Sequence, residues 1–442
     1  MKSPNRKLET RNPKANRTGP QRPLPRRQMA TLLAGIMIGI CLAGVAFGGN
    51  LFAGSVFSLE PGTTYEVECS LKDPDGGAAV KTAEARTRVV PKAFDKGSRL
   101  HVYPQGYEGK RETPSFGGIA EAYDTASPGD VILIHGGAYK GPFVFAKSGV
   151  KEKPIVLRGA GDGEAVIVGT GTACLIDVHK AGYLHFENLI FRDPGTVDGG
   201  STVEGVTILA ANCVHGRPRP KDVGGIVVRR CRFEDFGVGI MAADGLCRDF
   251  TITDNVFVGR RSMDRGEWEN AHFRNNLFLS SARGGTYSPY TSFDYNGYMP
   301  EAGKPIFSWT RLKEGETEKL VGFLKCKTAA EARRHDRLLK KETVVCKTLP
   351  EASRKLGFEE HGKLVDYSIF QRVGNPLEAA ARRGALHLYE PGELDFSLKP
   401  DSKAVDAGVR LANINEGYAG RAPDLGALEA GKPAPQYGPR ED

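Results

Sequence analysis

An apolar residue, any residue and a second apolar residue recur through the middle of the chain. Each set is followed by two mostly polar residues, a packing residue and, two further on, an aromatic or Cys. The copies read Leu184-x-Phe186-x-x-Leu189-x-Phe191, Val206-x-Ile208-x-x-Ala211-x-Cys213 and Ile226-x-Val228-x-x-Cys231-x-Phe233. They continue as Phe250-x-Ile252-x-x-Asn255-x-Phe257 and Ala271-x-Phe273-x-x-Asn276-x-Phe278, with a weaker copy at Thr291-x-Phe293-x-x-Asn296-x-Tyr298. With Leu189, Ala211, Cys231, Asn255, Asn276 and Asn296 as the register, successive steps are 22, 20, 24, 21 and 20 residues. Period-two alternation makes each unit a strand, and the parity break before the register residue marks a corner. A strand, a corner, a second strand and a return over roughly 20–25 residues describe one coil of a parallel β-helix, which buries its apolar face only by stacking on neighbours.

Stacking lifts each coil by about 4.8 Å, so like positions align. Phe191, Phe233, Phe257, Phe278 and Tyr298 are expected to form an inner aromatic column. Asn255, Asn276 and Asn296 are expected to bond to backbone and to one another. Val131-x-Leu133 with Gly136, and Ile155-x-Leu157 with Ala160, extend the stack to about eight coils over 97–300. The Leu-x-x-Leu-x-Leu spacing of leucine-rich repeats is absent, and a sandwich would not keep so steady a register.

The flanks differ. Residues 1–28 hold nine Lys or Arg against Glu9, which accounts for the whole net charge of +8. The remainder is balanced, so no global field draws the protein to nucleic acid. An uncharged apolar run, Met29 to Phe47, follows Arg26-Arg27. A basic tail (1–28) before such a run (29–48) reads as an export signal, or as an anchor holding the protein to a membrane through 29–47 if uncleaved. Either makes the protein extracytoplasmic, secreted or periplasmic or membrane-anchored. Eight cysteines are present, one of them (Cys41) in that run, and no Cys-x-x-Cys pair suggests a zinc site.

Leu59-Glu-Pro-Gly-Thr-Thr-Tyr65-Glu-Val67 resembles the tyrosine-corner stretch of fibronectin type III domains, and 51–92 read as part of such a sandwich. Residues 301–390 read as a helical and loop insertion covering one side of the coil, with Thr328 and Thr348 as N-caps of two short helices. Residues 391–442, rich in Gly and Asp, read as a cap over the open end of the stack.

Gly129-Asp-Val-Ile-Leu-Ile-His135, Lys153-Pro-Ile-Val-Leu-Arg-Gly159, the coils and the Asp406-Ala-Gly and Asp424-Leu-Gly-Ala-Leu-Glu429 ending resemble exported bacterial right-handed parallel β-helix proteins of the pectate-lyase-like superfamily. The resemblance implies the fold. It leaves the activity open among polysaccharide lyases, glycoside hydrolases, epimerases and members without a known reaction. The Arg-x-Pro-x-x-Arg of pectate lyases is absent.

Glycan grooves in this fold run along outward residues of the repeated strand. Here these include His185, Glu187, Arg229, His272 and Arg274, with Arg230 and Asp254 at the adjacent corner. β-Elimination on a uronan needs a neutralised C5 carboxylate, a base for the C5 proton and a proton for the leaving oxygen. Arg229 and Arg274 suit the first through their bidentate forks, and His185 or His272 could be the base. The expected catalytic set is therefore His185, Arg229 and His272, and the expected glycan contacts are Glu187, Arg229, Arg230, Asp254 and Arg274. A hydrolase would instead need facing carboxylates, for which Asp193, Glu234 and Asp235 are candidates. No metal or other cofactor is expected. Calcium would need a carboxylate cluster, and Glu187 and Asp254 read as three coils apart. The function expected is binding of an acidic polysaccharide, with lyase-type cleavage if the protein is catalytic. The rival reading is a non-catalytic structural or adhesive surface protein.

Overall fold

The structure, a computed structural model, describes residues 62–72, 78–87, 91–169 (except 95), 174–192 (except 179–180), 337–373 and 395–432 (except 412–413). It also describes 224–313 with breaks at 242–245, 265–266, 270, 280 and 283–290, strands at 28–32 and 206–209, and the single positions 316 and 334. The chain divides into two compact units, Met1–Val90 and Pro91–Asp442.

In the first unit, strands Thr64–Lys72 and Ala78–Arg86 form an antiparallel hairpin in unbroken register. Gln28–Leu32 adds a parallel strand along Tyr65 to Cys69, so the start of the apolar run is extended here. Among the described residues, no helix is long and apolar enough to cross a membrane.

The second unit is a right-handed parallel β-helix. Its first sheet stacks Arg99–Val102, Val131–Ile134, Ile155–Gly159, Leu184–Glu187, Val227–Arg229, Thr251–Thr253, His272–Arg274 and Ser292–Asp294, every neighbour parallel. The second sheet runs from Gly137–Lys140 through Ala165–Val168, Ile190–Arg192, Arg232–Met241, Val256–Asp264, Leu277–Phe278 and Gly297–Tyr298 to Lys363–Leu364. A third row of strands, absent from the two-strand coil expected, joins Phe143–Val144, Cys174–Asp177 and Val206–Leu209 to the far halves of Arg232–Met241 and Val256–Asp264.

The third row corrects the repeat. Val206 and Ile208 pair with Val238 and Ile240, not with a first-sheet strand, while His185 pairs directly with Val227. What read as two coils is one long one, because a strand of the third row carries the same apolar alternation as a strand of the first. Cys213 and Ala211 lie outside the described residues. Arg99–Val102 supplies the replacement at the other end, so the described residues still hold eight coils. One register also shifts. Ile132 and Ile134 are fully buried, whereas Val131 and Leu133 take the outward positions, because Ile132 pairs with inward Leu157.

The corner falls where the parity break put it. Asn188, Arg230, Asp254, Asn275 and Tyr295, each one residue before a register position, adopt left-handed backbone with φ between 52° and 57°. Asn and Asp tolerate this region through their short polar side chains, whereas Arg and Tyr have no such help and depend on the ladder around them.

Inside, Phe191, Phe233, Phe257, Phe278 and Tyr298 form the expected column, with successive ring centroids 5.0, 4.5, 5.2 and 5.2 Å apart. The asparagines form the expected ladder. Asn255 Nδ2 donates to Asn276 Oδ1 (3.0 Å) and Asn276 Nδ2 to Asn296 Oδ1 (2.9 Å). Each amide also donates to the carbonyl of an inward residue, Val228, Ile252 or Phe273.

The two flanking segments exchange the places expected of them. The described residues between 306 and 358 close the open end. The antiparallel pair Phe307–Leu312 and Lys341–Cys346, with helix Leu349–Leu356 and Phe358, packs Phe307, Trp309 and Phe358 onto Phe293 of the last coil. Thr348 is the N-cap of that helix, accepting from the Glu351 amide, while Thr328 lies outside the described residues. The C-terminal segment instead covers a side. Phe396, Leu398, Ala404 and Leu425 bury the outward residues Val256, Val258, Leu277 and Leu279 of the second sheet. Flat apolar ends need large aromatic side chains, and the insertion holds them. At the other end, helix Ile119–Thr125 inserts Ile119, Ala122 and Tyr123 above the first coils.

Candidate functional site

Strand alternation and the observed pairing put two rows of side chains on the outer face of the first sheet. One runs Val131, Val156, His185, Val227, Thr251, His272, Ser292. The other runs His101, Leu133, Arg158, Glu187, Arg229, Thr253, Arg274, Asp294. All the residues expected to act are therefore on this face or at its corner, but their surroundings differ from those expected.

Glu187 is the centre of the second row and is 1 % exposed. Its Oε2 accepts from Arg158 Nε at 2.7 Å, and its Oε1 is 3.0 Å from Arg229 Nη2, close enough for ion pairing though not aligned as a hydrogen bond. His185 Nδ1 lies 3.7 Å from the same Oε1. Burial by itself would raise the Glu187 carboxyl. The imidazole of His185 and the guanidiniums of Arg229 and Arg158 outweigh it and hold the group well below the usual carboxylate range. Glu187 is thus an anion that fixes its neighbours, not an exposed glycan contact.

His185 is 4 % exposed, and burial lowers its imidazole below the ordinary value despite Glu187. The ring lies buried beside the Glu187–Arg229 ion pair, a setting different from the open groove position expected of it. Arg229 is committed as well. Besides Glu187, its Nη1 donates to the Ile414 carbonyl of the C-terminal segment at 3.0 Å. His272 is half-buried and three coils from His185 in the first row, so the two do not share one reacting centre.

Asp254 is also buried, and burial raises its carboxyl. It accepts from Asn275 Nδ2 (3.0 Å), Asn415 Nδ2 (3.3 Å) and Thr253 Oγ1 (3.1 Å), which pins the C-terminal segment to the corner. The carboxylate expected to contact glycan is thus bonded within the fold. Glu187 and Asp254 are two coils apart, not three, once the Val206 strand leaves the first sheet. Arg274 donates from Nη1 to the carbonyls of Phe273 (2.8 Å) and Ser292 (2.9 Å) and from Nη2 to Ser292 Oγ. Arg230, at its left-handed corner, is half-buried, and among the described residues nothing accepts a hydrogen bond from its guanidinium.

Of the carboxylates considered for hydrolysis, Glu234 is buried and accepts from Arg192 Nε (3.0 Å) and Nη2 (2.7 Å), with Arg232 Nε 3.1 Å away. It is a structural ion pair of the second sheet. Asp193 and the side chain of Asp235 lie outside the described residues.

Two features escaped the sequence reading. Past the last coil, His361 stacks on Tyr295 with ring centroids 4.3 Å apart, and its Nδ1 is 2.9 Å from Asp294 Oδ2. At the opposite end His101 and His135 face each other, with Tyr103 stacked 3.9 Å from His135. Both involve residues beyond the repeated strand motif, His361 in one and His101 with His135 in the other, which carry no periodic signal.

No protein-family model matches the chain, and no curated protein matches it. Among solved structures, the chain is similar to a PL6 family alginate lyase, AlyGC, at 20 % identity and a TM-score of 0.35, over 48 % of this chain and 30 % of that one. It is also similar to pectate lyase Pel9A, at 13 % identity and a TM-score of 0.24, over 76 % of this chain and 97 % of that one. The chain thus spans less than a third of the alginate lyase it matches. The strand pairing of this chain itself identifies the fold.

Proposed function

We propose that this protein is an extracytoplasmic β-helix that holds an acidic polysaccharide along the outer face of its first sheet, binding it without cleaving it. The observation that carries this reading is the spacing of Arg158, Arg229 and Arg274, which occupy every second coil of one row. Two coil rises are about 10 Å. An extended uronan with near two-fold twist presents every second carboxylate to the same side, so one row of guanidiniums can meet one edge of such a chain. Arg230 adds a cation at the adjoining corner, and the Tyr295–His361 stack offers a ring face where the row ends. The basic flank and apolar run of residues 1–48 support export or anchoring at a membrane. Balanced charge over the rest argues against nucleic acid as the partner.

Binding is preferred over β-elimination because the two groups first expected to act together, His185 and Arg229, are held by Glu187 and by Ile414. The same burial favours, as a second reading, a structural or adhesive surface protein with no glycan site.

Passing the full-length protein over immobilised polyuronates and sulfated glycans distinguishes these readings. Retention that weakens with salt and falls several-fold in the Arg158→Ala, Arg230→Ala double variant supports glycan binding. Absence of retention on every glycan supports the structural reading. A rise in ultraviolet absorbance from unsaturated sugar ends, lost in Arg229→Ala, would establish a lyase and overturn the non-catalytic proposal.

A further inference from the structure

The first two coils bring together a cluster that the glycan row does not use. Backbone pairing of Val102 with Ile134 sets His101 and His135 on adjacent coils, one within its strand and one just past it. Both are almost fully buried. His101 Nδ1 and His135 Nε2 are 3.0 Å apart. Behind His135, Nδ1 is 2.5 Å from Asp162 Oδ2, and the other oxygen of Asp162 accepts from the Gly136 amide, which fixes the carboxylate. Behind His101, Nε2 is 3.6 Å from Glu112 Oε2. Glu112 is itself positioned, since its amide donates to Tyr103 Oη at 2.8 Å and the His101 amide donates to the Pro114 carbonyl at 2.9 Å.

The proton count of this chain of groups is informative. An ionised Asp162 accepts a hydrogen bond from Nδ1–H of His135, which leaves a lone pair on His135 Nε2. If His101 fills it with its Nδ1 proton, the lone pair of His101 Nε2 is left facing the Glu112 carboxylate. If instead the Nε2 proton of His101 faces Glu112, two ring lone pairs converge on one point. That second arrangement has no internal donor for the point between the rings, and it gives each histidine a carboxylate behind it, as metal-bound histidines have.

We propose that His101 Nδ1 and His135 Nε2 bind a divalent transition metal ion of the zinc type between them, with Asp162 and Glu112 orienting the two rings from behind. Metal–nitrogen bonds of about 2.0–2.1 Å at a tetrahedral angle put the two nitrogens about 3.3 Å apart, so the rings need part by only a few tenths of an ångström. Water or an anionic oxygen ligand completes the coordination. Tyr103, stacked on His135 and in turn on Tyr107 at 4.6 Å, holds the ring plane in place. Nitrogen donors with carboxylates behind them favour zinc, cobalt, nickel or copper over calcium or magnesium, which prefer oxygen ligands.

Titrating the full-length protein with Zn²⁺, and with Co²⁺ for its visible spectrum, tests this. The expected result is one equivalent taken up by the wild type, accompanied by a rise in thermal midpoint. That equivalent is lost in His101→Gln and in His135→Gln and retained in His361→Gln. Asp162→Asn is expected to weaken binding about 10–100-fold without abolishing it. Circular dichroism of each variant without metal separates loss of the site from loss of the fold. Should either Gln variant prove unfolded, Asp162→Asn and Glu112→Gln carry the test through their affinities. No uptake by the wild type, or an equivalent that survives both histidine substitutions, would overturn the proposal.

Discussion

The inner corner ladder and the outer charged row repeat at the same coil spacing, one residue row apart, yet they are built from opposite chemistries. Inside, the same side chain recurs in Asn255, Asn276 and Asn296, all fully buried. An amide carries its donor and acceptor together, so identical copies bond to one another with nothing left over. Outside, Arg158, Glu187 and Arg229 alternate in sign, because identical charges one coil apart would repel. A self-complementary group can extend along a stack indefinitely, whereas a charged row must alternate or be diluted, as Thr253 dilutes it before Arg274. The neutral ladder therefore serves the core. The charged row keeps partly solvated guanidiniums that a ligand can still meet.

Placing a charge in the ladder is the harshest test of this contrast. Asn276→Asp keeps the acceptor for Asn255 but turns both donations, to Ile252 O and Asn296 Oδ1, into oxygen–oxygen contacts. The expected cost is about 3–5 kcal/mol at pH 7, the range for a buried charge without a partner. The urea midpoint should recover as pH falls and the new carboxyl protonates. A loss below about 1 kcal/mol at pH 7 would show that the ladder tolerates charge and that the contrast is false.

The ladder already ends on a group that tests it more gently. Glu359 takes the place of a further asparagine, accepting from Asn296 Nδ2 and Tyr298 Oη, each at 2.7 Å. Burial pushes its carboxyl up to about 7, against hydrogen bonds from Tyr298 and Asn296 that pull it down. The folded state therefore keeps a proton that the unfolded chain releases near its ordinary value. Stability from this group is full below about pH 4.5 and is lost as pH rises through 7, by up to about 3 kcal/mol. Glu429, also raised to about 7 by burial and by Asp424, acts in the same direction at a less buried site. Denaturant melts from pH 5 to 8 should show a declining midpoint. Glu359→Gln should flatten most of the slope and leave the part due to Glu429.

In the outer row, removing the anion is expected to cost less than adding one to the ladder, because the guanidiniums it pairs with are only partly buried. Glu187→Gln leaves Arg158 and Arg229 facing a neutral amide and removes the partner of His185. A loss of about 2 kcal/mol is expected at pH 7. The sign reverses that of Glu359. Glu187 is held below the usual range, so its contribution is present above about pH 4.5 and disappears on acidification. Equal losses at pH 3 and pH 7 would mean that packing, not charge, is what the substitution removes.

The difference between the rows also explains what could be read from the chain. Phe257, Phe278, Asn276 and Asn296 announce themselves because an inward position admits few residue types, so the same types return at each coil. The false coil at Val206 shows the limit, since a strand of any row in this fold alternates in the same way. Outward positions from Leu184 onward follow the observed pairing except in the Val206 strand. Val131 and Leu133 carry the opposite phase to the one read, and burial left no signal at any outward position. Asn415 and Ile414, which cover Asp254 and Arg229, come from a segment some 160 and 185 residues further along the chain. His101 carried no repeat signal at all, because its coil lacks the motif, and its pairing with His135 depends on a strand register that only the assembled stack fixes.

The smallest effect expected is the one that separates function from architecture. Arg230 sits at a corner whose shape is set by its backbone, and its side chain makes no hydrogen bond to the described residues. Arg230→Ala should therefore lower the unfolding free energy by no more than about 1 kcal/mol, since it loses only its charge beside Asp254. If a polyanionic glycan lies along the outer row, the same variant should still lose about 1 kcal/mol of binding, roughly fivefold, and most of that loss should vanish in high salt. Arg229→Ala should do the reverse, weakening the fold through Glu187 and Ile414 more than it weakens retention on glycan. If instead Arg230→Ala leaves glycan retention unchanged while Arg229→Ala lowers stability and binding together, the row holds the C-terminal segment and the ligand lies elsewhere.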